Sequence, residues 1–303
     1  MGPSARVAVI GAGLMGHGIA QVFAVRGHAV RVFDPLPAML DSLGERIRKN
    51  LEDLGEDVSA AQRVIATPAL AEAVCDADVV IEAGPESLAT KRRLFLDIEA
   101  CAPAGAILAS NTSVIPITQI MAPLAHKSRA LGTHWWNPPY LIPLVEVIRT
   151  EWTDAEVAAR MSALLRSAGK TPVTVHKDVP GFVGNRLQHA LWREAIALVQ
   201  NGVCDAETVD TVVKASFGRR LAVLGPLENA DLVGTDLTLA IHETVLPDLD
   251  ATPGPLPYLK ELVDEGRLGM KSGQGFRRWT PEEQQALRRR VLTHLRELLE
   301  RGI

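Results

Sequence analysis

Short apolar runs alternate with helical patterns along the chain as far as Val175. They predict strands at Arg6–Ile10, His28–Phe33, Ala77–Glu82, Gly105–Ala109, Ala130–His134, Leu144–Ile148 and Pro172–Val175. Most of these runs are continuously apolar, so both faces of the sheet are expected to be covered by helices. The pattern therefore predicts an α/β unit with a mostly parallel sheet.

The pattern changes after Val179. Phe182–Asn201 has apolar residues at helical spacing, and the residues beyond it are typical of helices and loops. Val179-Pro180-Gly181 is a candidate boundary between domains. The expected organisation is a sheet domain over residues 1–179 and an all-α domain over residues 180–303.

Composition narrows the class of protein. The 303 residues are 47% hydrophobic and 22% charged, with a formal net charge of −4, which argues against nucleic acid or an anionic membrane as partner. No apolar run approaches the roughly 20 residues that a membrane span needs. The three cysteines form no CxxC pair, so neither a disulfide framework nor a metal site is expected. We expect a cytoplasmic protein.

A glycine-rich turn follows the first predicted strand. Gly11-Ala12-Gly13-Leu14-Met15-Gly16 has the GxGxxG spacing and opens a predicted helix. Gly11 permits a tight turn, Gly13 lets the backbone approach a pyrophosphate, and Gly16 allows close helix–strand packing. The helix N-terminus offers N–H groups to the phosphates. A purely structural turn is the alternative.

The second predicted strand ends in Asp34. A carboxylate there accepts hydrogen bonds from the adenine-ribose hydroxyls and repels the 2′-phosphate of NADP. The combination of strand, turn, helix, strand and acid predicts a Rossmann-type, doubly wound domain that binds NAD.

One histidine of the eight lies where such a sheet places its active site. His134 ends a predicted strand, and Glu146 lies inside the apolar strand Leu144–Ile148. A carboxylate in an apolar strand is costly unless it is paired. Glu146 could therefore orient His134 as a general base for an alcohol. From the spacing, a structural His–Glu pair is an equally good interpretation.

Motifs along almost the whole chain resemble the L-3-hydroxyacyl-CoA dehydrogenase family. The matching segments are GAGLMGHGIA, ASNTS, HWWNPP, PLVEVI, KDVPGFVGNR, GPLENADLVG and GMKSGQGF. The resemblance implies an NAD-dependent enzyme in which His134 and Glu146 are the catalytic dyad and Ser113 and Asn185 contact the substrate. It also implies a homodimer formed through the helical domain. Residues that it assigns to the cofactor environment are Glu86, Lys91, Ser113, Asn137 and Lys271.

Two segments depart from the family members that bind CoA. The stretch between Asp34 and Thr67 is shorter, and the linker Gly218–Leu224 is longer. The chain is here more similar to the lambda-crystallin/L-gulonate 3-dehydrogenase, carnitine dehydrogenase and pyridine-carboxylate dehydrogenase branches. These branches imply a free hydroxy acid as substrate, with Arg219 or Arg220 pairing with its carboxylate.

Other interpretations stay open at this point. The substrate could instead be an acyl-CoA such as 3-hydroxybutyryl-CoA, and Arg219 and Arg220 could be ordinary surface arginines. A protein of another class, a non-catalytic NAD-binding protein like a lens crystallin, would share the scaffold. The presence of His134, Glu146, Ser113 and Asn185 together favours an enzyme.

Overall fold

The computed structural model describes residues 4–301 and divides the chain into two units, one ending at Arg186 and the other beginning at Leu187. The predicted boundary, between Val179 and Pro180, lies slightly earlier and stays a prediction.

A single sheet runs through the first unit. Its strands are β1 (Arg6–Ile10), β2 (Ala29–Phe33), β3 (Val64–Thr67), β4 (Val79–Glu82), β5 (Ile107–Ser110), β6 (Ala130–Trp135), β7 (Leu144–Ile148) and β8 (Thr171–Val175). They lie in the order β3-β2-β1-β4-β5-β6-β7-β8, and all neighbours are parallel except β6 and β7. The order reverses between β1 and β4, which opens a crevice at the carboxyl ends of these strands.

Helices cover both faces of this sheet. They are α1 (Gly16–Val25), α2 (Pro37–Asp41), α3 (Leu43–Leu54), α4 (Leu70–Val74), α5 (Leu88–Cys101), α6 (Ile117–Met121) and α7 (Ala155–Ser167), with 3-10 turns at Val58–Arg63 and Lys127–Arg129. Val7 and Val9 of β1 join the core on one face, and Ala8 and Ile10 join the core on the other. This two-sided burial explains why the strand is continuously apolar.

The second unit is helical. Its elements are α8 (Gly184–Gln200, which begins in the first unit), α9 (Ala206–Ala215), α10 (Pro226–Val233), α11 (Thr235–Val245), α12 (Pro257–Asp264) and α13 (Pro281–Glu300), with 3-10 turns at Phe217–Arg219 and Leu246–Asp248. Thr280 begins α13 with a capping box, in which its hydroxyl and the Glu283 side chain each bond the other's backbone N–H. Within the described part of this unit, the β-pairing consists of isolated bridges at Gly269–Gln274 and Gln274–Arg278.

The predicted fold class, a Rossmann-type sheet domain followed by an all-α domain, is confirmed. The strand β3 was not predicted. No helix among residues 4–301 combines the length and apolar character that crossing a membrane requires.

Candidate active site

The glycine-rich turn between β1 and α1 is shaped by two close backbone contacts. Gly11 has φ +109°, and a Cβ atom there would lie 2.6 Å from the carbonyl oxygen of Ala83. A Cβ atom on Gly16 would lie 1.7 Å from the carbonyl oxygen of Gly11. Gly13, by contrast, has no atom within 4 Å of its Cβ position, so its backbone can be approached. This cradle fits a pyrophosphate at the start of α1.

Asp34 lies at the end of β2, beside this turn. Its Oδ2 accepts a 2.7 Å hydrogen bond from Ala12 N–H, and its Oδ1 accepts one of 2.9 Å from Leu36 N–H. These bonds hold the carboxylate where the adenine ribose of a dinucleotide would bind. Arg31, the nearest basic residue along the chain, is engaged with Asp76 and with the carbonyl of Glu72. The turn and the acid together fit NAD better than NADP.

A buried ion pair lies at the carboxyl end of β4. Lys91 on α5 is 1% exposed, and its Nζ lies 2.7 Å from Oε1 and 3.0 Å from Oε2 of Glu82. The hydroxyl of Ser110 donates a 2.7 Å hydrogen bond to the same carboxylate. Lys91 Nζ also lies 3.4 Å from Glu86, so the ammonium group bridges two acids. Lys91 is therefore held in a charge-balanced, hydrogen-bonded setting.

Glu86 in turn holds the loop that follows β5. Its Oε1 accepts hydrogen bonds from the Thr112 hydroxyl and from the N–H groups of Ser113 and Val114, at 2.5, 2.9 and 3.2 Å. Partial burial alone would raise the pKa of Glu86, but these bonds and the charge of Lys91 outweigh it and lower the pKa. Glu86 is thus an ionised anchor for the Ser113 segment.

His134 and Glu146 form a buried pair across two antiparallel strands. They are direct partners in the β6–β7 ladder and are 3% and 1% exposed. His134 Nδ1 lies 2.7 Å from Glu146 Oε2. Because a carboxylate only accepts, Nδ1 carries the proton, which leaves Nε2 as the atom that can take a proton from a substrate.

The second oxygen of Glu146 is held by the start of α8. Oε1 accepts hydrogen bonds from Val183 N–H and Gly184 N–H at 2.9 and 3.1 Å. The preceding turn makes this possible, because Gly181 and Phe182 adopt φ +74° and +51°. Burial would raise the pKa of Glu146, but the bonds from His134, Val183 and Gly184 outweigh it and lower the pKa. The carboxylate therefore stays charged beside the imidazole.

Two aromatic rings enclose the imidazole of His134. Its centroid lies 5.2 Å from that of Trp136 and 5.5 Å from that of Phe182. Trp136 packs so closely on the start of α8 that a Cβ atom on Gly184 would lie 2.4 Å from its Cζ2. These contacts restrict the orientation of the imidazole ring.

Ser113 and Asn185 are also brought together. Asn185 Nδ2 donates a 2.8 Å hydrogen bond to the carbonyl of Ser113, which joins the first turn of α8 to the loop after β5. In that loop, Asn111 accepts a 3.0 Å bond from the N–H of Trp135, next to His134. The dyad, Ser113, Asn185, Glu86 and Glu82 thus belong to one connected set of contacts in the first unit.

Comparisons with known proteins agree with this geometry. Residues 6–179 match the NAD-binding domain of 3-hydroxyacyl-CoA dehydrogenase, and residues 181–279 match its C-terminal domain. The chain belongs to the 3-hydroxyacyl-CoA dehydrogenase family. Three predictions are therefore confirmed: membership of this family, an NAD-dependent dehydrogenase activity on CH–OH groups, and NAD as the cofactor.

Relatives in the family cover both kinds of substrate. The chain is 38% identical to 5-formyl-3-hydroxy-2-methylpyridine 4-carboxylate 5-dehydrogenase of Mesorhizobium japonicum, over 97% of this chain and 98% of that one. A solved structure of a 5-dehydrogenase for this compound, described as an NAD⁺-dependent dismutase, has a TM-score of 0.90 at 35% identity and covers 98% and 97% of the two chains. The (S)-3-hydroxybutyryl-CoA dehydrogenase of Ralstonia eutropha has a TM-score of 0.76 at 33% identity, over 92% and 100%.

The remaining predicted residues differ in their setting. Asn137 is exposed, and Leu14 in the glycine-rich turn is 67% exposed, with Met15 beside it half-buried. Lys271, Arg219 and Arg220 lie in the second unit, and all three are exposed. Their roles toward cofactor or substrate stay predictions.

Three polar residues of this network were missed. Glu82 accepts hydrogen bonds from both Lys91 and the Ser110 hydroxyl. His17 Nδ1 donates a 2.8 Å hydrogen bond to the carbonyl of Gly13, which steadies the glycine-rich turn. An acid at the end of the apolar run Val79–Glu82 was the available signal for Glu82, because a buried carboxylate needs a partner. Ser110 and His17 carry no comparable signal in the sequence.

Proposed function

We propose that this family member oxidises the hydroxyl group of a free hydroxy acid to a carbonyl, reversibly and with NAD. The observation that carries the substrate class is the similarity, across 98% of this chain, to the structure of a pyridine-carboxylate dehydrogenase, at a TM-score of 0.90 against 0.76 for the acyl-CoA enzyme. The hydrate of an aldehyde presents the same H–C–O–H unit and is a substrate of the same class.

In the proposed mechanism, His134 is the general base. Nε2 accepts the proton of the substrate hydroxyl as the C–H bond breaks, and it returns the proton in the reverse direction. The imidazolium formed on His134 is stabilised by Glu146, which is ionised and only 2.7 Å away. Because Val183 and Gly184 also bond Glu146, the carboxylate keeps its charge and its orientation as His134 gains the proton.

The cofactor is proposed to be held by the first unit. The pyrophosphate would be held by the glycine-rich turn, through Gly11, Gly13, Leu14, Met15 and Gly16. The adenine ribose would be held by Asp34. Glu86, Lys91, Ser113 and Asn137, with Lys271 of the second unit, complete the proposed cofactor environment. When bound, NAD⁺ supplies the hydride acceptor for the reaction.

Substrate contacts are proposed for four residues. Ser113 and Asn185, which share a hydrogen bond, would position the substrate oxygen near His134. Arg219 or Arg220 would pair with the substrate carboxylate, because a guanidinium binds a carboxylate through two hydrogen bonds. Lysine at these positions would provide charge without that paired geometry.

The substrate class is tested by following NADH absorbance with a panel of alcohols. The panel holds 3-hydroxybutyryl-CoA, L-carnitine, L-gulonate, 3-hydroxybutyrate, and hydroxymethyl- and formyl-substituted pyridine carboxylates, with the His134→Ala variant as control. Turnover of a free acid with no turnover of the CoA thioester supports the proposal. Turnover of the thioester alone overturns it in favour of the acyl-CoA activity. Inactivity throughout, with tight NADH binding, favours the non-catalytic alternative.

We further propose a homodimer formed through the helical unit, in the cytoplasm. The support for a dimer is the apolar surface of α10 and α11, where Leu227 is 79% and Leu232 72% exposed. The three cysteines are unpaired, as suits a reducing compartment. Light scattering that gives twice the mass of the chain supports the dimer, and the mass of one chain contradicts it.

A further inference from the structure

A buried lysine lies outside the catalytic network. Lys170, between α7 and β8, is only 9% exposed. Its Nζ donates hydrogen bonds to two backbone carbonyls, those of Pro139 and Ile142, at 2.5 and 3.1 Å. Among the described residues, no carboxylate lies within ion-pair distance of it. A buried cation without an ion-pair partner is costly, so it calls for a functional explanation.

The two carbonyls belong to the β6–β7 connection, residues 136–143, which joins the strand of His134 to the strand of Glu146. This connection lies on α1: a Cβ atom on Gly18 would be 2.6 Å from Pro139 Cγ and 3.2 Å from Tyr140 Cδ1. Gly18 is in the first turn of α1, directly after the glycine-rich turn. Lys170 therefore binds the β6–β7 connection, which in turn packs on α1, the helix that follows the glycine-rich turn.

Lys170 also contacts the end of β6. Its Nζ lies 5.9 Å from the centroid of the Trp135 ring, and Trp135 follows His134 in β6. One ammonium group thus touches both the end of β6 and the connection after it. Asn137, whose side chain is exposed, is the residue of this connection that the proposed function places beside the cofactor.

We propose that Lys170 is a positioning residue, whose positive charge holds the β6–β7 connection against α1 in the arrangement that binds the cofactor. The proposal rests on the proposed function in one respect, the role of Asn137 beside the cofactor. It does not depend on which alcohol is oxidised.

The positive charge of Lys170 is lost in mildly alkaline solution. Burial, followed by the charge of Arg26, lowers the pKa of Lys170 to about 8, although Glu56 opposes the shift. A charged donor makes hydrogen bonds about twice as strong as a neutral one. Cofactor affinity should therefore be highest below pH 8, where Lys170 is charged, and should fall as the pH rises through that value.

The test measures the dissociation constant of NADH by fluorescence between about pH 7 and pH 9.5. For the wild type, we expect affinity to fall about tenfold across this range as both hydrogen bonds weaken. For Lys170→Met, we expect affinity about tenfold weaker at pH 7 and independent of pH. Lys127→Met is the matched control, since Lys127 also lies over a tryptophan ring, that of Trp152, at 5.2 Å; it should follow the wild type.

A second variant covers the case in which Lys170→Met does not fold. Lys170→Arg keeps its charge at every pH of the test and should bind NADH tightly throughout. Wild-type affinity that is constant from pH 7 to 9.5, or a folded Lys170→Met that binds as tightly as the wild type, would overturn the proposal. A merely structural lysine would change stability without changing this pH dependence. Because binding needs no substrate, a failure of the proposed activity would leave this result intact.

Discussion

The two units of the chain differ in what their apolar side chains contact. In the first unit, helices cover both faces of the sheet, and side chains such as Phe23 and Phe95 are completely buried. In the described part of the second unit, the buried hydrophobic residues are only Ala197, Leu256 and Leu262. The first unit therefore has its own core, whereas the second presents apolar helices to its surroundings.

The difference indicates a division of labour. A buried core can hold charged groups at fixed distances, and the first unit contains both the Glu82–Lys91 pair and the His134–Glu146 pair. Large exposed apolar surfaces mark protein–protein interfaces, and those of the second unit are suited to assembly. Substitutions in the buried pairs of the first unit should then change chemistry, and substitutions of the exposed apolar residues on α10 and α11 should change association.

The largest effect is expected from His134→Ala. Loss of the general base should lower kcat by about 10²–10⁴-fold, while NADH affinity and the mass of the assembly stay unchanged. The measurements are steady-state rates with the substrate found in the panel, NADH titration and light scattering. Turnover near the wild-type rate would contradict the assignment of His134.

The opposite result, loss of association without loss of NADH binding, is expected from Leu232→Asp on α10 combined with Leu239→Asp on α11. Placing charges in an apolar interface should weaken association by about 10²-fold, seen as a single-chain mass at micromolar concentration. NADH binding by the first unit should persist. Leu96→Asp, which alters an exposed leucine of the first unit, is the matched control and should leave the mass unchanged. Equal loss of assembly in both variants would refute the division.

A smaller effect is expected from Asp34→Asn. Asparagine can still accept from Ala12 N–H but no longer repels a 2′-phosphate. The ratio of kcat/KM with NAD to that with NADP should fall about tenfold, because one unfavourable charge interaction is removed. Competing NAD and NADP assays at one ionic strength measure this ratio, and an unchanged ratio would exclude Asp34 from cofactor selection.

The last effect concerns acid stability. The pKa of Glu146 is lowered in the folded protein, so its stabilising contribution is present above its ordinary value of 4.5 and is lost as the pH falls through the folded value. Glu146→Gln should lower the free energy of unfolding by about 1–3 kcal/mol near neutral pH. Urea unfolding followed by tryptophan fluorescence should show this difference shrinking below pH 4.5; a constant difference would speak against an ionised Glu146.

The sequence predicted the strands with continuous apolar runs but missed β3. This strand is at the edge of the sheet, and Ile65 in its middle is 57% exposed, so Val64–Thr67 lacks the strong pattern of a buried strand. Its four residues pair with β2, and that contact depends on the rest of the sheet. Local pattern is therefore informative for central strands and weak at edges.

The site was predictable where its reactive residues lie in recognisable sequence motifs. His134 and Glu146 were found because strand ends and a carboxylate in an apolar strand are visible in one dimension. Lys170 and Phe182 were not, since the burial of the first and the left-handed conformation of the second depend on segments distant in the chain. Such residues have ordinary neighbours in sequence and unusual neighbours in space.

The direct pairing of His134 with Glu146 in the β6–β7 ladder has a consequence for divergence within the family. The distance between base and acid is set by strand register and not by the eight residues 136–143 that connect the strands. That connection can accept substitutions that retune ligand recognition while proton transfer is preserved. One hairpin therefore combines an inherited reaction with a segment that is open to evolutionary change.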